Sequence, residues 1–188
     1  MGRALSVSKL FLCRHGERMD AVGLSWPECG TAPWDPPLTP RGREQIRTSL
    51  EAACQAGVEC IVASPMRRTV ESAEIASGVL GVRFHIDCGL VEWQNADWFS
   101  SLAVGDADWY RNSIYWNGNF LASAPPSFPE TESEAQQRCM RAAEFWMRRR
   151  AGNLLILAHE NGIVGIANGL FGDNLVSVPF GAVLSLES

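Results

Sequence analysis

The sequence predicts an α/β protein, a three-layer α/β/α sandwich with a mostly parallel central sheet. Short, largely apolar runs without regular alternation occur at 10–13, 59–63 and 154–158, which is typical of parallel strands buried on both faces. Between these runs lie longer stretches with the caps or the apolar spacing of helices. An alternation of strands and helices places helices on both faces of one sheet, which gives the predicted architecture.

Composition limits the number of domains and the kind of partner. The chain has 188 residues, of which 46% are hydrophobic, so we expect a single domain over 1–188 with a sizeable core. The net charge of −5 argues against a nucleic-acid partner, because it leaves no broad basic surface. Any anion site must therefore be a local basic pocket. The sequence leaves open whether the protein forms a homodimer.

The sequence also predicts a cytoplasmic protein without a membrane partner, a metal or a cofactor. No apolar run approaches the roughly 20 residues of a membrane span, and residues 1–9 lack the apolar segment of a secretory signal. Three of the six cysteines, Cys13, Cys54 and Cys60, fall inside regular apolar patterns, so we expect reduced thiols rather than disulfides. No CxxC or His-x-x-x-His pair suggests a zinc site.

The first predicted strand leads directly into the charged segment Arg-His-Gly-Glu-Arg at 14–18. Ligands of open α/β sheets bind beyond the carboxyl ends of the strands, and the guanidinium groups of Arg14 and Arg18 suit a tetrahedral oxyanion such as phosphate. Their positive charge disfavours the imidazolium form of His15, which leaves a neutral, nucleophilic imidazole. Gly16 has no Cβ, so a ligand or another backbone can approach closely.

Two stretches, 19–37 and 94–129, lack periodicity and are expected to form loops over this edge of the sheet. Loops of this length in a compact domain usually have a functional role. Trp26 and Trp34 are candidates for a small lid in the first loop. The second is rich in aromatic residues, which form either a hydrophobic mouth to a pocket or a cluster packed on itself.

A helix is predicted from Pro40 to about Ala56. Thr39 is a good N-cap, Pro40 suits the first helical position, and Gly57 suits the position after the helix end. We expect Gly42 to let this helix lie close to the sheet.

The second predicted strand ends in Ser-Pro-Met-Arg-Arg at 64–68. With Ser64 as N-cap, a helix is expected to start at once and to reach about residue 79. Such a junction presents backbone N–H groups and the positive end of a helix dipole to anions. Arg68 in the first turn is expected to reach the edge that carries His15, whereas Arg67 points about 100° away around the helix.

Two more ionisable groups follow predicted strands. After a strand at 82–86, in which His85 is expected to be structural, Glu92 lies between Val91 and Trp93, and partial desolvation there would raise its pKa toward that of a general acid. A helix over 132–150 then precedes the strand 154–158, which leads into His159 and Glu160. We expect Glu160 to narrow or repel the anion site.

In these segments the chain resembles the histidine phosphatase superfamily, which includes phosphoglycerate mutases and acid phosphatases. The matching motifs are Arg14-His15-Gly16-Glu17, Leu38-Thr39-x-x-Gly42-x-x-Gln45, Ser64-Pro65-x-x-Arg68, Leu90-Val91-Glu92 and His159. Arg-His-Gly-Glu-Arg-Met-Asp and Leu-Val-Glu-Trp are most similar to the eukaryotic protein-tyrosine and ecdysteroid-phosphate phosphatases, the branch of the suppressors of T-cell-receptor signalling. The resemblance implies a phosphoglycerate mutase-like fold. The chain departs from that branch in being shorter and in having Glu-Asn after His159.

The resemblance implies a metal-independent phosphatase that acts through a phosphohistidine intermediate. Its substrate would be a phosphorylated small molecule or a phosphoprotein, including a protein phosphorylated on tyrosine. In the implied roles His15 is the nucleophile, Glu92 the proton donor and then the base, and the phosphate ligands are Arg14, Arg18, Arg68 and His159.

Two other functions stay open. A phosphoglycerate mutase-type phosphotransferase would need a closed basic pocket, whereas 94–129 is acidic and aromatic with Arg111 as its only basic residue. A catalytically idle phosphoester-binding module would need neither a nucleophile nor an acid, so the presence of His15 and Glu92 argues against it.

Overall fold

A six-stranded sheet organises the computed structural model, which describes residues 7–23, 34–150 and 152–187. In chain order the strands are β1 (Val7–Arg14), β2 (Val58–Ala63), β3 (Phe84–Asp87), β4 (Trp116–Leu121), β5 (Gly152–Ala158) and β6 (Val183–Glu187). Their spatial order is β4-β3-β2-β5-β1-β6, and every neighbouring pair is parallel except β1 with β6. The mostly parallel sheet predicted from the sequence is therefore confirmed.

Helices cover both faces of this sheet. They are α1 (Pro40–Ser49), α2 (Glu51–Ala56), α3 (Arg67–Leu80), α4 (Asp108–Arg111), α5 (Glu132–Arg149) and α6 (Glu160–Phe171). Successive side chains of β1 point to opposite faces: Leu10 and Leu12 pack in a core with α5 and α6, whereas Phe11 and Cys13 pack in a core with α1 and α3. The three-layer α/β/α sandwich is thus confirmed. Within the described ranges, no helix combines the length and apolarity that a membrane crossing requires.

The helix predicted over 40–56 begins and ends as expected but is divided. Thr39 Oγ1 accepts a hydrogen bond from the Gly42 N–H at 2.9 Å, and Gly57 follows the end with a φ of 70°. The backbone leaves helical geometry at the buried Leu50, which separates α1 from α2.

Helix α3 begins later than the sequence predicts. Its N-cap residue is Met66, which makes no side-chain cap, and Arg67 is the first helical residue. Ser64 does not cap the helix because its Oγ lies 2.9 Å from His159 Nε2, on the neighbouring strand's loop. The hydroxyl of Thr69 instead donates to the Met66 carbonyl at 2.6 Å in the first turn.

The stretch 94–129 is not wholly irregular, since it contains α4 and the edge strand β4. β4 pairs in parallel with β3, with Phe84 opposite Trp116 and Ile86 opposite Phe120. Its sequence, Trp-Asn-Gly-Asn-Phe-Leu, has no regular apolar alternation, and three of its six residues are exposed at the sheet edge. A half-exposed edge strand carries a weak apolar signal, which explains why the sequence pattern missed it.

Candidate active site

The carboxyl ends of four parallel strands bring the predicted site residues together. Arg14 is the last residue of β1 and His15 follows it, while Arg68 lies in the first turn of α3 after β2. Glu92 follows β3, and His159 follows β5 as the N-cap of α6. A cleft of about 690 Å³ opens over this edge.

The loop after β1 is clamped by the start of α1. A Cβ on Gly16 would lie 2.2 Å from the Gly42 carbonyl oxygen, and a Cβ on Gly42 would lie 2.2 Å from the Glu17 carbonyl oxygen. The Glu17 carbonyl accepts a hydrogen bond from the Thr39 N–H at 2.9 Å, and the Glu17 N–H donates to Gln45 Oε1 at 2.9 Å. Gly42 therefore brings α1 close to the loop after β1, and not to the sheet as predicted from the sequence.

His15 is held as a neutral imidazole with a free Nε2 lone pair. Its ring is buried, and Nδ1 lies 2.8 Å from the Gly16 carbonyl oxygen. A carbonyl oxygen only accepts, so Nδ1 carries the proton and Nε2 keeps its lone pair. Burial, together with the positive charge of Arg68, holds the pKa of His15 well below its usual value. These are the properties of a nucleophile.

His159 faces the same space from β5. Its Nε2 lies 2.9 Å from Ser64 Oγ, and its Nδ1 lies 3.4 Å from Glu92 Oε2. The centroids of the His15 and His159 rings are 5.3 Å apart. Burial and Arg68 also hold the pKa of His159 well below its usual value. Ser64 therefore orients the second histidine, a role that its place in the Ser-Pro-x-x-Arg motif could have suggested.

Arg68 is a fully buried cation between two carboxylates. Its Nη2 lies 3.1 Å from Glu92 Oε2, and its Nη1 lies 3.5 Å from Asp35 Oδ1. Asp35 also accepts the Arg67 N–H at 2.8 Å, and burial raises its pKa to about 6. The sequence analysis missed Asp35 because nothing in a Pro-rich loop marks one carboxylate as buried.

Arg14 and Arg18 each pair with one carboxylate at the cleft wall. Arg14 Nη1 lies 3.1 Å from Glu160 Oε2 and donates to the Val178 carbonyl, and Arg18 Nε lies 3.1 Å from Asp20 Oδ1. Burial lowers the pKa of both guanidinium groups. Among the described residues, the Nε atoms of Arg14 and Arg68 are buried and have no hydrogen-bond partner. Such donors suit an anion with several acceptor oxygens.

The segment that carries Glu92 is fixed by a second buried arginine. Arg138, on α5, forms two hydrogen bonds of 2.8 Å to the Glu130 carboxylate. It also donates to the carbonyls of Gly89 at 2.9 Å, Val91 at 3.1 Å and Glu92 at 3.3 Å. The sequence analysis missed this residue, although Arg138 lies on the apolar face of its helix, where an unpaired charge would be costly.

Arg67 and His85, which the sequence places outside the site, do lie away from it. Arg67 Nε pairs with Glu71 Oε1 at 2.9 Å, and its guanidinium stacks over the Trp109 ring at 4.4 Å. His85 packs against Trp146, and burial lowers its pKa to about 4.

The aromatic residues of the two predicted loops divide between the cleft and the core. Trp34 and Phe99 line the cleft together with Trp93 and Trp98, while Trp109 and Trp116 pack against the α3 side of the sheet. Some of the aromatic residues therefore form a mouth to the cleft, and others pack in the core. Trp26 lies outside the described residues.

One donor set at the site has a composition suited to a metal ion. Ligand atoms of His15, Glu92 and His159 all lie within 4.8 Å of one another. The Arg68 guanidinium lies 3.1 Å from this carboxylate, and Arg14 and Arg18 line the same cleft. A dication there would face three positive charges, so the electrostatics favour an anion. Sequence spacing did not indicate this set because its members come from three separate segments.

Comparisons with known proteins agree with this fold. No curated protein sequence matches the chain. Among solved structures, an ecdysone phosphate phosphatase from Bombix mori in complex with tungstate has a TM-score of 0.78 and 22% identity, covering 96% of this chain and 89% of its own. A mycobacterial glucosyl-3-phosphoglycerate phosphatase has a TM-score of 0.65 and 20% identity, covering 96% and 92%.

A third similar structure is a phosphoserine phosphatase from Entamoeba histolytica in complex with 3-phosphoglyceric acid. Its TM-score is 0.60 at 16% identity, covering 94% of this chain and 89% of its own. At such identities these likenesses establish the fold. The family model of the histidine phosphatase superfamily (branch 1) matches residues 10–178, and this protein therefore belongs to that superfamily.

Proposed function

We propose that this histidine phosphatase hydrolyses phosphomonoesters through a phosphohistidine formed on His15. The observation that carries the proposal is a buried, neutral imidazole with a free Nε2 lone pair, at the sheet edge over which the cleft opens, and a cleft lining that includes three guanidinium groups and the Glu92 carboxylate. A binding module would need the guanidinium groups alone. The neutral nucleophile and the nearby carboxylate of Glu92 are what a two-step phosphoryl transfer adds.

In the first step His15 Nε2 attacks phosphorus, and the bond from phosphorus to the ester oxygen breaks. Arg14, Arg18 and Arg68 stabilise the charge on the non-bridging oxygens. Glu92 transfers its proton to the leaving oxygen, so the alcohol departs neutral. The products of this step are the alcohol, a phosphohistidine and the Glu92 carboxylate.

In the second step a water molecule attacks the phosphohistidine. Glu92, now ionised, takes a proton from the water, the bond from phosphorus to Nε2 breaks, and inorganic phosphate leaves with His15 neutral again. The His159 ring lies beside the nucleophile, with its centroid 5.3 Å from that of His15, and in this proposal it binds the phosphoryl oxygens throughout both steps.

The experiment that tests this function traps the intermediate. Brief mixing of the protein with a ³²P-labelled aryl phosphate and alkaline denaturation should leave label on the chain, and acid should release it, because phosphohistidine is labile in acid. The variant His15→Ala should bind no label and hydrolyse no ester. Acid-stable label, or label on His15→Ala, would overturn the phosphohistidine mechanism.

Metal independence is part of the proposal, because the guanidinium groups supply the electrostatic stabilisation. Hydrolysis of p-nitrophenyl phosphate should proceed unchanged in EDTA. Loss of activity in EDTA and recovery with a divalent ion would show instead that the donor set of His15, Glu92 and His159 holds a catalytic metal.

The role of Glu92 is tested by comparing two leaving groups. Glu92→Gln should slow an alkyl phosphate far more than p-nitrophenyl phosphate, whose leaving group departs readily as the anion. Equal losses on both esters would assign Glu92 to positioning or to hydrolysis of the intermediate.

We also propose a reducing, cytoplasmic location. Five described cysteines are free thiols, and burial raises the pKa of Cys13 to about 12 and that of Cys139 to about 11. Such thiols are unreactive in a reducing compartment. Cell fractionation that placed the protein outside the cytoplasm would contradict this.

A further inference from the structure

The charged residues of the cleft are balanced against one another. Each of the three arginines pairs with a carboxylate of the cleft lining at 3.1 Å, and Arg68 has a second carboxylate partner, Asp35, at 3.5 Å. The pairs are Arg14 with Glu160, Arg18 with Asp20 and Arg68 with Glu92. Among the described residues, each guanidinium that lines the cleft therefore already has a carboxylate partner, so none is available for a second anion besides the phosphoryl group.

The outer part of the cleft carries excess negative charge. The exposed fraction of the side chain is 1% for Arg68, 14% for Arg14, 29% for Arg18 and 38% for Glu160, so the Glu160 carboxylate lies nearer the opening than the three arginines. Glu132, the first residue of α5, also lines the cleft, is exposed and has no ion pair within the described part of the chain. A substituent on the alcohol would meet these carboxylates first.

Glu160 is held in this position by two contacts. Its Oε2 pairs with Arg14, and its Oε1 accepts the Val178 N–H at 3.0 Å. Because the side chain is tied on both oxygens, it has little freedom to turn away from an approaching anion. The sequence predicts that Glu160 narrows or repels the anion site, and in this position its carboxylate faces the part of the substrate beyond the phosphate.

Aromatic rings form the rest of the outer cleft. Trp93 and Trp98 meet edge to face with ring centroids 5.3 Å apart, and Trp34 and Phe99 meet at 6.4 Å. Trp98 is 57% exposed although it is a large apolar residue. The faces of such rings are negative, so they attract apolar and cationic groups and offer nothing to an anion.

From these observations, and on the basis of the proposed function, we propose that the outer cleft selects phosphomonoesters by charge. It accepts an alcohol part that is apolar or positively charged and rejects one that carries a second acidic group, and Glu132 and Glu160 set this selection. An anion about 6 Å from either carboxylate in a partly hydrated cleft is disfavoured about tenfold.

Three phenyl phosphates that differ in the charge of the para substituent test this selection: the 4-methyl, the 4-(trimethylammoniomethyl) and the 4-(carboxymethyl) esters. In each charged ester a methylene separates the charge from the ring, which keeps the leaving groups similar. We expect kcat/KM for the carboxymethyl ester to be about tenfold below that for the methyl ester. The ammonium ester should react at least as well as the methyl ester.

Variants assign the selection to the two carboxylates. Glu132→Gln should raise kcat/KM for the carboxymethyl ester several-fold relative to the methyl ester and reduce any preference for the ammonium ester. Glu160→Gln should do the same while its amide oxygen still accepts the Val178 N–H. The matched control is Glu187→Gln on β6, whose carboxylate pairs with Lys9 at 2.9 Å at the opposite end of β1 from Arg14. This control should leave the ratios of kcat/KM among the three esters unchanged.

The outcomes separate this inference from the proposed function. If p-nitrophenyl phosphate is hydrolysed by the wild type and not by His15→Ala, while the three esters react equally, charge selection is overturned and the phosphatase mechanism stands. Selection that survives in both glutamine variants would overturn the assignment to Glu132 and Glu160. If no ester is hydrolysed in a His15-dependent manner, the proposed function and this inference fall together.

Discussion

Replacing Arg138 with methionine tests whether a buried ion pair positions the proton donor. Arg138 joins α5 to the Glu92 segment through two 2.8 Å hydrogen bonds to Glu130 and through donors to three backbone carbonyls between 89 and 92. Methionine is an unbranched side chain, shorter than arginine, with neither charge nor hydrogen-bond donors. The Arg138→Met variant would therefore leave the Glu130 carboxylate buried and unpaired, and the Glu92 segment would lose its tether.

The expected loss of stability follows from these contacts. Removing one partner of a buried ion pair costs about 3–5 kcal/mol, mostly because the other charge stays buried without a partner. The free energy of unfolding of a native protein is about 5–15 kcal/mol, so the variant should fold with a clearly lower stability. The double variant Arg138→Met/Glu130→Gln should recover most of the loss, because no uncompensated charge remains.

The assay combines urea unfolding with kinetics on two esters. Both variants should slow the hydrolysis of phenyl phosphate about tenfold or more and that of p-nitrophenyl phosphate less. Only the poorer leaving group, phenol, needs a well-placed Glu92 to protonate it. A purely structural role for Arg138 would change stability but not the ratio of the two rates. The reasoning is refuted if the double variant restores the wild-type ratio, or if Arg138→Met unfolds at the wild-type urea concentration.

The remaining predictions concern other parts of the molecule. Arg68→Ala should lower the rate on the order of 10²-fold or more, while Arg67→Ala, whose side chain pairs outside the cleft, should leave it nearly unchanged; a sensitive Arg67 would contradict the geometry. Gly42→Ala places a Cβ 2.2 Å from the Glu17 carbonyl oxygen, so it should slow hydrolysis of phenyl and p-nitrophenyl phosphate equally and lower the free energy of unfolding by about 1–3 kcal/mol. The control Gly78→Ala, whose nearest neighbour is a tyrosine hydroxyl at 3.4 Å, should be neutral. Wild-type kinetics for Gly42→Ala would argue against the close contact between α1 and the loop after β1. The free energy of unfolding should fall as the pH drops from 6.5 toward 4, because the pKa of all three histidines is lower in the folded state and the unfolded chain therefore binds more protons. The pKa of Asp35, raised to about 6 in the folded state, offsets the effect of one histidine. Urea midpoints that are equal at about pH 7.5 and about pH 5 would contradict this sign.

The sequence by itself determined most of the strands and which ionisable groups follow them. Strands buried on both faces are continuous apolar runs, and a parallel sheet brings their carboxyl ends to one edge. That is why His15 and His159, each placed directly after such a strand, could be assigned to one site. The edge strand β4 was not predicted because three of its six residues are exposed and its apolar residues follow no regular alternation.

Only the tertiary structure decided which partners orient these groups. Ser64 contacts His159 across 95 residues of sequence, and Arg138 reaches the Gly89 carbonyl across 49. The N-cap preference of a serine and the helix propensity of an arginine are local properties, whereas a buried polar group takes whichever partner the packed core brings within hydrogen-bond distance. The tether of Glu92, the burial of Asp35 and the pairing of Glu160 with Arg14 depend on that packing, so local sequence patterns could not indicate them.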